Sequence, residues 1–180
     1  AKEPSFWTNA LKSYVVSKLY WNLGWDVSEL VNEFFDLYYG VAAPAAKEFL
    51  NVIDGHYAEL RATIGSLDMA VVVPSCNFYN AEKYPLNLMT RLMSIVDNQI
   101  LEIEANETLS EAEKEQVISR IKAMKITPMA MIFKNYDSYY NTLTKKDFAK
   151  EFLTLCDECG IVTLGGGETI ADLKNSYGIA

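Results

Sequence analysis

The chain of 180 residues is half apolar and about an eighth aromatic, with only five prolines, which suffices for one domain burying roughly two thirds to three quarters of its unfolded surface. Its formal charge of −8 speaks against a nucleic-acid partner, because phosphate binding draws on clustered Lys and Arg. Three cysteines, Cys76, Cys156 and Cys159, make an odd set that is not the disulfide framework of a small secreted domain, and the redox compartment stays open. The richest apolar patch, Met69 to Val73, is far shorter than the ~18 residues of a membrane span, so a soluble chain with no membrane span is expected. Ala1 opens directly onto a helical pattern, with neither an initiator Met nor a basic-then-apolar leader, and the sequence reads as a fragment or a processed product.

Pro4 and Ser5 precede a first helix, in which Phe6, Leu11, Tyr14, Val15, Leu19 and Asn22 share the three-and-four spacing of one buried face, ending near Gly24. Asp26-Val-Ser-Glu29 has the form of a capping box, and Leu30, Phe34, Leu37 and Tyr38 give a second helix its apolar stripe. Gly40 is placed to stop that helix in the left-handed conformation. Pro44 suits the first turn of a third helix, whose stripe of Phe49, Ile53, Tyr57, Leu60 and Ile64 runs to about Gly65. Short loops between these three predict a corner where they meet.

Periodicity fades from Ser66 to Tyr84, a connector with at most one short extended piece. Pro85 opens a fourth helix with Leu88 or Met89, Leu92, Ile95, Val96, Gln99 and Ile103 inside. Ser110 to Glu113 supplies another capping box. The fifth helix carries Val117, Ile121 and Met124, meets Pro128 and keeps its phase through Ile132, Phe133, Tyr136 and Tyr140, which predicts a kink, with a break at Pro128 as the alternative. Thr144 to Asp147 caps a sixth helix with Phe148, Phe152, Leu155 and Cys159 on one face and Gly160 at its end. Ile161 to Leu164 reads as a short strand or extended arm, Gly165 to Gly167 as a mobile loop, and Thr169 to Tyr177 as a closing helix. The expected fold is all-α, an irregular bundle of about six or seven helices in a single domain over residues 1–180.

Little in the sequence announces chemistry. Cys156-Asp-Glu-Cys159 has the spacing of half a zinc site or of a redox motif, but a zinc ribbon needs a second such pair or nearby histidines, and only Cys76 and His56 are on offer. Structural cysteines are the expectation. Gly165-Gly-Gly-Glu-Thr169 lacks the spacing of either phosphate-binding loop and reads as a hinge. The only histidine, His56, sits mid-helix with no nucleophile paired to it by sequence. Most acids follow solvated faces or first helical turns; Glu29, Glu33 and Asp36 lie along one helical edge and are the better candidates for a carboxylate pair. The cluster Tyr20, Trp21, Trp25, Tyr38 and Tyr39 is the most informative feature, because rings with polar handles either stack on sugars or fill a helical corner, packing being the favoured role.

The stretch LYWNLGWD followed by VSELVNEFFDLYYGVAAPAAKEF is similar to a recurrent pattern in a family of uncharacterised bacterial proteins, with Trp21, Asp26, Glu33, Phe34, Tyr38, Tyr39, Gly40, Ala42 and Ala43 matching as they stand. In that family a glycoside-hydrolase-like βα barrel, of the α-glucuronidase and β-hexosaminidase type, is followed by an all-helical C-terminal region. The segment from Gly160 to Leu164, with Glu168 and the closing helix, resembles how such chains end. The strong match covers about a quarter of the chain, and the barrel that would carry catalytic acids at its strand ends is not in these residues.

The resemblance implies a non-catalytic C-terminal domain, without cofactor or metal, that packs on its own upstream barrel, rims the substrate cleft and belongs to an exported parent in the periplasm or at the cell surface. Such a domain would lend an aromatic or acidic side chain to the rim of that cleft, and the residues offered for carbohydrate contact are Trp21, Trp25, Tyr39 and Glu33. The alternatives are a stand-alone module binding polysaccharide or oligosaccharide, a protein-interaction bundle suggested by the acidic, Met-rich helices, and, last, a metalloprotein.

Overall fold

A computed structural model describes residues 6–64, 83–140, 145–164 and 169–179. Among these residues the chain forms eight α-helices: α1 (Phe6–Trp21), α2 (Val27–Tyr39), α3 (Ala43–Ile64), α4 (Leu86–Glu104), α5 (Glu111–Lys122), α6 (Ile126–Asn135), α7 (Lys145–Glu158) and α8 (Ile170–Tyr177). An antiparallel bridge joins Thr163 to Thr169 and no continuous strand forms among the described residues, so Ile161 to Leu164 is an extended arm. The expected all-α bundle is what the structure shows. Gly165 to Glu168, the Ser66 to Glu82 part of the connector, with Cys76, and the Thr144 cap lie outside the described residues.

Several helix ends form where the sequence places them. Asp26 accepts from the N–H groups of Ser28 (2.7 Å) and Glu29 (3.1 Å), taking two of the donors that a helix start leaves unpaired. Ser110 and Glu113 complete a reciprocal capping box on α5, and Thr169 caps α8. Gly160 ends α7 at φ 68°, with Ile161 N donating to Cys156 O at 2.8 Å, the closing bond of a Schellman turn. Gly40 also has positive φ (53°) but pairs it with ψ −122°, outside the left-handed helical basin, and leads into a short 3₁₀ turn, Gly40–Ala42, before α3.

α4 is the hub, packed on α3, α5 and α6. α7 lies on α6 and α8 on α7, while at the opposite end α2 packs on α3 and carries α1. The core is continuous through Phe35, Tyr39, Phe49, Val96, Ile121, Ile126, Phe152 and the methionines 89, 93, 124, 129 and 131. Methionine is unbranched and adapts to the irregular gaps that helices of unequal length leave. One cation is drawn into this framework: Lys125 is buried and reaches Asp97 of α4 at 2.7 Å and Glu151 of α7 at 3.5 Å, tying together elements distant in sequence.

Three expectations are corrected. The long fifth helix is not one continuous helix but two, the alternative reading: it tightens into a 3₁₀ turn at Ala123–Lys125, one turn before Pro128, and restarts as α6, so Pro128 falls in the first turn of α6, where its missing N–H costs little. Tyr136 and Tyr140 then lie beyond the end of α6. In α2 the buried face is Leu30, Phe34, Phe35 and Tyr39, whereas Leu37 is exposed and Tyr38 borders solvent. At the three-helix corner neighbouring helices pack on one another as expected, α1 on α2 and α2 on α3, but Asn22, expected on the buried face, is exposed.

Candidate functional site

α1 has no fully buried side chain among those described; Leu11, Tyr14, Val15 and Leu19 are half-covered by the body, chiefly by α2. The other side of the helix is open, of mixed polarity over Asn9, Lys12, Ser13, Val16 and Ser17, and becomes apolar at its last turn and the turn after it. Tyr20 and Trp21 are 86% and 91% exposed, Leu23 is equally bare, and Trp25 is 45% exposed. Among the described residues, eleven large apolar side chains are exposed, and nine of them fall between Val16 and Val41.

The turn that presents these rings is pinned from both sides. Asn22 N donates to Lys18 O (3.1 Å), Gly24 N donates to the Asn22 side-chain oxygen (2.8 Å), and Asp26 caps α2 immediately afterwards. Such fixing lowers the entropy lost when a partner settles on the surface. Lys18 spans the α1–α2 seam, 3.3 Å from Glu33 Oε1, with its ammonium 5.3 Å from the Tyr14 ring centre and 5.8 Å from that of Trp25. Hydrogen bonding with Tyr14, and then with Glu33, holds the Lys18 ammonium above its ordinary pKa. Lys18 thereby ties the Trp25 indole to the frame.

The structure does not bring all the sequence candidates together. Tyr39 is 1% exposed and stacked on Phe35 at 5.5 Å, so it is a core ring and drops out of any sugar-contacting platform; burial pushes its phenol pKa upward. Tyr38 stacks on Phe34 (5.1 Å), with the Arg120 guanidinium 4.8 Å above it and donating to its carbonyl at 2.6 Å. Glu33 turns to Lys18 of α1 and Asp36 to Lys47 of α3 (2.7 Å), so these two acids serve different seams, while Glu29 stays exposed in the first turn of α2. Packing was the expected role for the aromatic cluster; Tyr39 fulfils it, whereas Tyr20 and Trp21 do not.

The remaining motifs resolve into structure. Cys156 is buried, and burial above all pushes its thiol up to about 12, far from the reactive range. Cys159 is half-buried beside it. Among the described residues no group of three or more His, Cys, Asp and Glu side chains is arranged to hold a metal. His56 Nε2 donates to Lys83 O at 2.5 Å and its ring lies 5.8 Å from that of Tyr84, fastening the chain entering α4 onto α3. No helix among the described residues is long and apolar enough to cross a membrane.

A family model described as Domain of unknown function (DUF4838) matches residues 2–51. No curated protein and no solved structure matches the chain. The matched stretch spans α1, α2 and the start of α3, and all nine exposed apolar residues between Val16 and Val41 fall inside it. What the chain shares with that family is therefore the surface-forming end of the bundle together with the aromatic core of α2.

Sequence reasoning found these rings but not their partition into core and surface. It also passed over a groove between α3 and α4 at Gly55, whose one signal was a glycine inside a helical pattern.

Proposed function

We propose that this chain is a non-catalytic helical C-terminal domain of a carbohydrate-active, glycoside-hydrolase-like bacterial protein, docking on the catalytic barrel through the open face of α1 and the α1–α2 turn. The carrying observation is the coincidence just described: the apolar surface that this bundle leaves uncovered is concentrated in the segment it shares with a family. Contiguous exposed aromatic surface is costly in water and marks a contact site. A helix with only one side covered is suited to lie between two bodies, α2 on one flank and a neighbouring domain on the other. The pattern in YYG.AA and the turn before it supports the barrel as that neighbour, since the resembling family places its helical region directly after one.

In this reading Trp25, held by Lys18, stands at the edge of the docked surface, where one indole face can rim a substrate cleft, with Trp21 seated deeper. Catalytic acids belong to the barrel, the 180-residue chain does not hydrolyse glycosides, and the parent is exported. The test is a comparison of the 180-residue chain with the longer polypeptide of the same reading frame. Trp21→Ala together with Tyr20→Ala should leave the short chain folded and lower the unfolding temperature of the long one. An unchanged long polypeptide would refute docking through this face. A free-standing carbohydrate-binding module is the second reading, favoured by the exposure of Trp21 and Trp25; quenching of tryptophan fluorescence by oligosaccharides in the 180-residue chain, lost in Trp21→Ala, would select it.

A further inference from the structure

A groove of about 540 Å³ runs along the seam of α3 and α4, within the size range of small-ligand sites. Its floor is the half-buried Val52, His56 and Leu88, and its walls carry the exposed Glu48, Asn51 and Glu59 on one side and Asn87 and Arg91 on the other. None of these residues belongs to the α1–α2 face.

Gly55 is the unexplained residue here. It lies in the interior of α3, where glycine is among the poorest helix formers, and neither usual reason for it applies. Its φ is not positive, and a Cβ built on it would meet nothing within 4 Å. The backbone is thus left bare on the groove without benefit to the fold, which is what close approach of a ligand requires. Beside it, Glu48, Asn51 and Arg91 make no hydrogen bond or ion pair through their side chains among the described residues, although Lys18, Lys47, Lys114, Lys122, Lys125 and Lys145 are all paired.

We propose that the α3–α4 groove binds an uncharged, hydroxyl-rich ligand, a short oligosaccharide, laid across Gly55. Glu48 against Arg91 leaves little net charge and disfavours a polyanion or a polycation. Amide, carboxylate and guanidinium groups together offer the paired donors and acceptors that vicinal hydroxyls need. Val52, Leu88 and Pro85 supply an aliphatic floor for ring C–H groups. From Glu48 to Glu59 the α3 wall extends about 16 Å at 1.5 Å per residue, room for several sugar rings. A peptide fits less well, because the groove has neither a free strand edge nor a deep apolar pocket for an anchoring side chain.

The test is a two-dimensional amide NMR titration of the 180-residue chain with cello-, xylo-, malto- and chitotetraose, each to about 10 mM, well above the ~1 mM Kd of a weak site. Saturable shifts at residues 48–59 and 85–91 for at least one sugar are expected. Gly55→Ala should weaken that binding about tenfold or more while raising the unfolding temperature by a few degrees, since alanine is the better helix residue. Arg91→Ala should weaken it without that rise. Silence of the groove amides with all four sugars would overturn the proposal, as would undiminished binding by Gly55→Ala. Shifts confined to Trp21 and Trp25 would also overturn it, while leaving the reading of the α1–α2 face intact.

Discussion

Trp21 offers the sharpest separation between a ring that holds this bundle together and one that is kept for something else. It is 91% exposed, so folding removes only about a tenth of its surface from water. Fully burying a large apolar side chain stabilises by roughly 1.5–3 kcal/mol, which scales to about 0.2–0.3 kcal/mol here. Trp21→Ala should therefore change the stability of the 180-residue chain by less than about 0.5 kcal/mol, a value typical of bare surface positions. Phe49 is 0% exposed, and Phe49→Ala should cost about 3–5 kcal/mol through lost transfer energy and a cavity. Urea unfolding followed by far-ultraviolet circular dichroism measures both, with m held constant as the check that the two variants unfold from comparable states. A loss above about 1.5 kcal/mol for Trp21→Ala would mean that the ring is packed by this chain itself, and the docking argument would fall.

Three further outcomes follow from the same geometry. Asp26→Ala removes the acceptor for two helix-start N–H groups and should cost about 0.5–2 kcal/mol in the same unfolding assay, whereas Asp26→Asn should cost far less. Gly40→Ala should destabilise by about 1–3 kcal/mol, although a Cβ there meets nothing within 4 Å, because the penalty comes from the positive φ alone; a neutral result would show that the 3₁₀ turn re-forms with another backbone. The pH dependence has a definite sign. Cys156 has its folded pKa raised from 9.0 to about 12, so the unfolded chain loses that proton first. The neutral thiol's contribution is complete below pH 9 and declines as pH rises from there toward 12, by at most about 1.4 kcal/mol per unit. Burial shifts Tyr39, Tyr84 and Tyr140 in the same direction, so the unfolding temperature should fall on the alkaline side, and Cys156→Ala should remove part of that slope.

Helix starts and stops were legible because each is set by groups within a few residues of one another. Asp26 as the N-cap of α2, the Ser110–Glu113 box and Gly160 act as read. The faces of α4 and α7 were legible because each has one apolar stripe. α2 was legible only in part, because its apolar residues 30, 31, 34, 35, 37, 38 and 39 fill one arc of more than half the helix, wider than the face that is buried, and the sequence does not mark which edge of that arc stays outside. The choice is made by partners far away in sequence: Arg120 of α5 holds Tyr38 at the rim and leaves Tyr39 inside. The interruption near Pro128 was legible as the alternative to a kink, and it falls one turn earlier, at Ala123–Lys125, around the Met124 carbonyl that a proline four residues on cannot bond and where Lys125 pairs with Asp97 and Glu151. Burial of individual rings in the aromatic cluster depends on what covers each helix, which no local pattern encodes. That is why the cluster was found while its division into core and surface was not.

The most direct measurement is hydrogen exchange across residues 14–28, compared between the 180-residue chain and the full polypeptide of the same reading frame. The account predicts that α1 and the α1–α2 turn exchange readily in the short chain, where only α2 backs them, and at least about tenfold more slowly in the long one. It further predicts that the added sequence alternates strands and helices eightfold ahead of α1. Equal exchange in the two polypeptides, or a frame that adds no such domain, would contradict the assignment of this face to a catalytic barrel.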